Sequence, residues 1–303
     1  MKMNKILVLL STYNGENYLI DQVNSIMNQK NVICDLFIRD DGSSDGTINV
    51  IQKLVKEYPD RIIYEQGTNI GYARSFLWLV NNVSGYDYYS FADQDDVWKL
   101  DKSIKGIAHL RKDVPFLYAS NLTSTDENLT PIKDYNFKNI NQNIMTEFCR
   151  HRVPGCTYIF NEKLRKLVCK YPYLSLKDIP SHDVLIAEIA YACGTVFIDE
   201  YSSVLHRRLN TSVTSGGNGI IQRLKIEKKM VFGKPNQEKK IAQFIEKELS
   251  NNIKKDCKLF ISLVAHYDES NELKRQLLSQ NGFKTGIKIC DLETKIRIIM
   301  NKY

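Results

Sequence analysis

The sequence predicts an α/β protein with a mostly parallel central sheet, followed by a helical, basic extension. Three observations predict it. Up to about residue 120, short apolar runs alternate with segments whose apolar residues recur at helical spacing, as βαβ units do. Polar, often acidic loops leave the ends of several of those runs, where ligands bind in open α/β sheets. From Ile220 onward the strand-like runs stop, and 18 Lys and Arg stand against 10 Asp and Glu. The whole chain carries only +7, so the basic excess belongs to the tail.

In order, "KILVLLS" reads as a buried strand and "ENYLIDQVNSIMNQ" as a helix, with Leu19, Ile20, Val23, Ile26 and Met27 on one face. "CDLFIRD" is a strand, "DGTINVIQKLVKEY" a helix, "RIIYEQ" a strand, "YARSFLWLVNNV" a helix, "YDYYSFA" a strand and "KLDKSIKGIAHLRK" a helix. The strand "PFLYAS" closes a first half, residues 1–120. "NLTSTDENLTPIKDYN" is polar and reads as irregular. "GCTYIFN" then predicts a strand, "EKLRKLVCKY" and "DVLIAEIAYAC" helices, and "TVFIDE" a strand, which completes a second half, residues 121–219. A helical region, residues 220–303, follows.

Composition removes several classes. The 303 residues suffice for one large α/β domain with an appendage. No apolar run approaches the roughly 20 residues of a membrane-spanning helix. "KILVLLSTYN" turns polar too soon for a signal peptide. The seven cysteines are scattered, without CxxC spacing, which predicts reduced thiols in the cytoplasm. No zinc spacing, RNP-like motif or helix-turn-helix pattern accompanies the basic tail, so nucleic acid is not the expected partner.

Chemistry concentrates in three loops at strand ends: "STYNGEN", "RDDGSSDGT" and "ADQDDVW". The last places Asp93, Asp95 and Asp96 in one turn, where the carboxylates repel each other unless a cation or donor compensates. A hard divalent ion, Mg²⁺ or Mn²⁺, compensates such a turn; the other reading is a solvated acidic turn that caps the following helix. In the second loop, Ser43 to Asp45 explain themselves as a cap. Asp40 ends an apolar strand where no cap is expected, and a carboxylate there can accept the imide N–H of a uracil or thymine.

Four motifs in order, "LLSTYNGENYLIDQVNSIMNQ", "IRDDGSSDGT", "NIGYARSF" and "FADQDDVW", resemble the nucleotide-binding half of family 2 glycosyltransferases, which have the GT-A fold. "FADQDDVW" is particularly similar to the form in bacterial rhamnosyltransferases of surface-polysaccharide synthesis. The resemblance covers roughly residues 4 to 215. It implies an inverting transfer of a sugar from a UDP- or dTDP-linked donor, with Mn²⁺ or Mg²⁺ as cofactor. Thr12, Tyr13 and Glu16 would line the base and ribose pocket, Asn14 would shape its loop, and Asp40 would take the base N–H. Asp41, Gly71, Arg74 and Gln94 join that nucleotide-sugar set. Asp93 would lie near the ribose and Asp95 would hold the metal, with Asp93, Asp96 and His206 as further candidate ligands.

An inverting transfer needs a base for the acceptor hydroxyl. Asp183 in "IPSHDVLIAEIAYAC" resembles the family's catalytic Asp; its plain reading is a helix cap. Gly155, Cys156 and His182 are assigned to the acceptor side, with His182 orienting the loop. Val184 and Leu185 stand where the family often has paired Trp. In "VLHRRLNTSVTSGG", Arg207 and Arg208 are candidates for diphosphate contact in a closing loop around Ser215, Gly216 and Gly217. In the tail, "KKIAQFIEKELSNNI" and "DLETKIRIIMNKY" are amphipathic. They either lie on the inner face of the cell membrane, where the resemblance places a glycan or lipid-linked saccharide acceptor, or pack against the protein or a second subunit as a homo-oligomer. The competing function is a non-catalytic nucleotide-sugar-binding or scaffolding subunit of a synthase complex.

Overall fold

The computed structural model describes residues 3–137, 141–209, 236–283 and 285–303. The expected boundary near residue 220, and the loop around Ser215, Gly216 and Gly217, lie outside the described residues. The chain divides into two compact units. The first is Met1–Phe137, Val153–Asp183 and Thr195–Leu209; the second is Lys138–Arg152, Val184–Gly194 and Asn210–Tyr303. Two segments expected in the sheet-bearing domain therefore group with the C-terminal residues.

The first unit holds the strands β1 (Asn4–Thr12), β2 (Val32–Asp40), β3 (Ile62–Gln66), β4 (Tyr88–Asp93), β5 (Val97–Trp98), β6 (Phe116–Thr125), β7 (Pro131–Tyr135), β8 (Ile159–Asn161) and β9 (Thr195–Arg207). Its helices are α1 (Leu19–Met27), α2 (Thr47–Glu57), α3 (Tyr72–Asn81), α4 (Lys102–His109) and α6 (Glu162–Val168), while α5 (Ile144–Cys149) falls in the second unit. The sheet runs β3-β2-β1-β4-β8-β6-β9-β5, with β7 on β6. β1 pairs in parallel with β2 and β4, β2 with β3, and β6 with β9. The shorter pairings, β4 with β8, β6 with β8 and β7, and β5 with β9, are antiparallel.

Parallel strands covered on both faces need continuous apolar runs. β1 supplies one from Ile6 to Leu10, each at most 3% exposed, beside Leu36, Phe37 and Ile38 of β2 and Tyr88, Tyr89, Phe91 and Ala92 of β4. The parallel register carries Thr12, Asp40 and Asp93 to one edge, since Thr12 pairs with Asp40 and Ser11 with Asp93.

Three elements depart from expectation. The polar stretch after "PFLYAS" is a hairpin: β6 runs on to Thr125 and turns into β7, with Asp126 Oδ1 accepting from the N–H of Asn128 and Thr130 at 2.9 and 2.8 Å. Its polar side chains are bound within the sheet, Thr123 to Ser202 at 2.8 Å and Asn121 Nδ2 to the Glu200 carbonyl at 2.8 Å, so the stretch reads as a loop although it is a strand. β9 continues seven residues beyond "TVFIDE", through Arg207. "GCTYIFN" is a single 3₁₀ turn, Gly155–Thr157, before a three-residue strand.

Helix α7 (His182–Cys193) begins in the first unit and continues in the second. The second unit also contains α8 (Gln237–Glu248), α9 (Lys258–His266), α10 (Asn271–Leu278) and α11 (Lys288–Ile299). Its core is aromatic: Phe260 meets Phe148 edge-on at 5.5 Å and Phe283 at 5.6 Å, and Tyr267 meets Tyr303 at 6.2 Å. The apolar face of α8, Ile241, Ala242, Phe244 and Ile245, is buried, so this amphipathic helix packs into protein. Among the described residues no helix is long and apolar enough to cross a membrane.

Candidate active site

The site gathers at the carboxyl ends of β1, β2 and β4. The loop after β1 is held by hydrogen bonds across the edge. Thr12 Oγ1 donates to Gln94 Oε1 at 2.6 Å, and the same oxygen accepts from Tyr13 N–H at 2.8 Å. Asn14, in the left-handed region at φ 50°, accepts from Ser44 N–H at 2.9 Å, and Glu16 accepts from Gly46 N–H at 2.5 Å. Gln94 thus braces this loop, and the ring of Tyr13 stays 48% exposed.

Asp40 and Asp41 are both buried. Asp40 closes a turn at the end of its strand: Oδ2 accepts from the N–H of Gly42 and Ser43 at 3.1 and 3.0 Å, and Oδ1 accepts from Ser43 Oγ. Its carboxylate is therefore engaged by the loop that follows β2, while the N-cap of α2 is Gly46. Asp41 pairs with Arg39 and accepts from the N–H of Ile70 and Gly71 at 3.0 and 2.9 Å. Gly71 has φ 82°, which a side chain would strain. Arg74, expected near base and phosphates, donates to the carbonyls of Leu176 and Lys177, each at 2.7 Å.

The acidic turn is the electrostatic centre. Asp93 ends β4, Gln94 and Asp95 form the turn, and Asp96 precedes β5. β5 is only two residues long, yet it pairs antiparallel with β9, Val97 against Leu205 and Trp98 against Val204. One residue further along that register, Asp96 meets His206, whose Nδ1 lies 2.8 Å from Asp96 Oδ1. Ligand atoms of Asp93, Asp96, Cys156 and His206 all lie within 4.8 Å of one another. Cys156, assigned to the acceptor side from the sequence, belongs to this group. Asp95, in the turn beside them, is not in the group.

Burial, then the charges of Asp96 and Asp95, push Asp93 well above the usual carboxylate range. Burial and Asp96 push Asp95 up to about 6. Burial by itself would lower His206, but Asp96, with Asp93 and Asp95 beyond it, raises it. Burial pushes the Cys156 thiol well up and keeps it neutral. Beneath the turn lies Lys102, fully buried, with Nζ 4.2 Å from the Trp98 ring centre and 3.4 Å from Ser90 Oγ; burial lowers its pKa to about 7. Sequence pattern places Lys102 only on a helix; a buried lysine carries no signature in its spacing.

The donor set fits a divalent cation. Asp96 Oδ2 is buried and has no hydrogen-bond partner among the described residues, and the carboxylates of Asp93, Asp95 and Asp96 crowd around one imidazole. Carboxylate oxygens with one imidazole suit Mn²⁺ or Mg²⁺ better than a thiolate-seeking ion, since the thiol here is neutral.

Asp183 lies in the first turn of α7, inside the helix. Ser181 Oγ donates to its Oδ1. Its charge is among the causes that raise Asp93. Gly155 permits the close approach: a Cβ there would stand 2.9 Å from both Asp183 Cβ and His182 Nε2. His182 stacks on Phe76 at 4.0 Å and meets Phe91 edge-on at 4.7 Å, which fixes the start of the helix. The two arginines considered for diphosphate are anchored elsewhere. Arg207 donates to Asp21 at 2.6 Å from within β9, and Arg208 donates to Tyr135 Oη at 2.5 Å.

A strand-edge nucleotide loop beside an acidic turn, on a mixed sheet with added helices, defines a nucleotide-sugar transferase of the GT-A type. The chain belongs to glycosyl transferase family 2, whose family pattern matches residues 7–168. It is 30% identical over 212 residues, 66% of this chain and 71% of the relative, to the dTDP-rhamnosyl transferase RfbG of Shigella flexneri. It is 27% identical over 240 residues to the hyaluronan synthase of Pasteurella multocida, which covers 76% of this chain and 22% of that protein. Among solved structures, residues 1–349 of TarS from S. aureus superpose with a TM-score of 0.58 at 17% identity, over 98% of this chain and 81% of that one. At that identity the likeness speaks to fold alone.

Proposed function

We propose that the chain transfers a sugar, rhamnose being favoured by the likeness to RfbG, from a dTDP- or UDP-linked donor to a hydroxyl of a growing, lipid-linked surface glycan, with inversion at the anomeric carbon. The observation that carries this reading is the placement of Asp183, in the first turn of α7 against Gly155, where a Cβ at position 155 would stand 2.9 Å from Asp183 Cβ. In this reading Asp183 takes the proton of the acceptor hydroxyl as that oxygen attacks the anomeric carbon. The new C–O bond forms while the bond to the diphosphate oxygen breaks, and the diphosphate leaves with the bonding pair. A divalent ion held by Asp93, Asp96 and His206, with Asp95 beside them, would neutralise the departing charge. Tyr13 offers its exposed ring to the nucleotide, and Thr12, Asn14, Glu16, Asp40, Asp41 and Gln94 shape the loops around it.

Replacing Asp183 by Asn tests the assignment. Donor affinity, measured calorimetrically, stays near normal, and transfer to acceptor falls by roughly 100- to 10,000-fold, the usual contribution of a positioned base. Undiminished transfer would sink the base assignment, and loss of both would make Asp183 a structural residue of α7. The wild-type chain, offered labelled UDP- and dTDP-sugars, yields a glycosylated product identifiable by mass; binding without product favours the scaffolding alternative.

A further inference from the structure

Lys102 stands where a lysine is least expected. It is fully buried, and it opens α4, where the positive end of the helix dipole disfavours a cation. Taking an ammonium out of water is costly unless a carboxylate pairs with it, and among the described residues Lys102 makes no ion pair. Its Nζ has two neighbours instead. The Trp98 ring centre lies 4.2 Å away and Ser90 Oγ 3.4 Å away. Stability alone does not account for such a residue.

Both neighbours belong to the supports of the acidic turn. Trp98 is the second residue of β5, directly after Asp96 and Val97, and the pairing of β5 with β9 sets Asp96 against His206 at 2.8 Å. Ser90 lies on β4, three residues before Asp93, and its hydroxyl donates to the Tyr158 carbonyl at 2.6 Å. Tyr158 directly follows the 3₁₀ turn that carries Cys156. Each of Asp93, Asp96, Cys156 and His206 is therefore carried by a segment that touches Lys102 or is bonded to one that does.

We propose that Lys102 is a positioning residue for a divalent cation: its ammonium ties the Trp98 ring to Ser90 from beneath, and through β5 and β4 it aims the oxygens of Asp96 and Asp93 at a common point. The inference rests on the reading of the acidic turn as a cation site. Two effects of opposite sign make it testable. As a charge alone, an ammonium beneath the turn repels a cation and weakens its binding. As a positioning residue it strengthens binding, since groups that orient metal ligands are worth about 10- to 100-fold in affinity.

Calorimetry with Mn²⁺ alone on the full chain decides, with Lys102→Met, which keeps an apolar stem and removes the ammonium, as the variant. Mn²⁺ affinity falls by about tenfold or more while the melting temperature holds or rises, because an unpaired buried charge has gone. Trp98→Phe, which keeps a ring but a poorer partner for the cation, lowers the affinity less. The double variant binds no more weakly than Lys102→Met, since both changes break one contact. Should Lys102→Met fail to fold, Trp98→Phe carries the test. Unchanged or tighter Mn²⁺ binding by the folded variant overturns the inference, and so do losses that add in the double variant. A melting temperature that falls together with the affinity makes Lys102 a structural residue and overturns it as well. A wild-type chain that binds no Mn²⁺ refutes the cation reading itself and the inference with it, whereas a wild-type chain that binds Mn²⁺ as tightly as the variant refutes the inference alone.

Discussion

At the scale of single residues, the acidic turn sacrifices stability for a site. Asp95 ionises at about 6 in the folded chain against 3.8 for an ordinary aspartate, because burial and Asp96 oppose its charge. A carboxylate with a raised pKa favours folding below its unfolded value and weakens it as pH rises through the folded value. Asp95→Asn should therefore stabilise the metal-free chain at pH 8, by at most about 3 kcal/mol at 1.36 kcal/mol per pKa unit, and leave it unchanged at pH 4. If Asp95 also reaches the ion, the same variant should weaken Mn²⁺-dependent binding of a nucleoside diphosphate. Thermal melts at the two pH values and calorimetry with and without Mn²⁺ check both parts; equal melting at pH 8 would show that Asp95 is not strained by its neighbours.

At the scale of elements, two short pairings position the site. The end of β2 is fixed by Arg39, which is bonded to Asp41, to Ser75 Oγ at 3.0 Å and to the Thr68 carbonyl at 3.1 Å, and stacks 5.5 Å from the Trp78 ring. Removing one partner of a buried pair leaves the other charge uncompensated and costs about 3–5 kcal/mol. Arg39→Met should lower the urea midpoint accordingly and weaken nucleotide binding through the displaced loop at Gly71. Double replacement of Arg39 by Met and Asp41 by Asn should recover part of the loss; no recovery would mean that packing of the arginine stem dominates. The second pairing, β5 on β9, is too short to show in the sequence. Two residues carry no readable period, and a strand partner more than 100 positions away is invisible to local pattern.

At the scale of the whole molecule, the second unit adds a pH dependence of its own. Glu188, in the middle of α7, is 1% exposed, and its Oε2 has no hydrogen-bond partner among the described residues. Burial, then Glu238 and Glu147, hold its carboxyl well above the usual range, while His151 and Arg297 pull the other way. The folded chain thus keeps a proton that the unfolded chain releases, and stability falls as pH rises from the ordinary glutamate range toward the raised value. Glu188→Gln should match the wild type near pH 4 and exceed it at pH 8. Denaturant titrations at both values decide, and parallel profiles would show that Glu188 ionises normally.

Local pattern was enough to dictate the β1 to α4 alternation, the burial of its strands and the delivery of three polar loops to one sheet edge. Apolar periodicity and parallel pairing leave little choice there, and the charge of "ADQDDVW" marks the turn without any partner in view. Which groups surround that turn was settled by long-range packing. His206 reaches it through pairing between distant strands, Cys156 from the 3₁₀ turn before β8, and Lys102 through burial beneath it, while Asp40 is held by the N–H groups of its own loop and Asp41 by those of Ile70 and Gly71. The direction of α11 was likewise open. Its amphipathic pattern is the same whichever face turns inward, and the ion pairs from Arg150 to Glu293 and from Arg297 to Glu238 turned the polar face in.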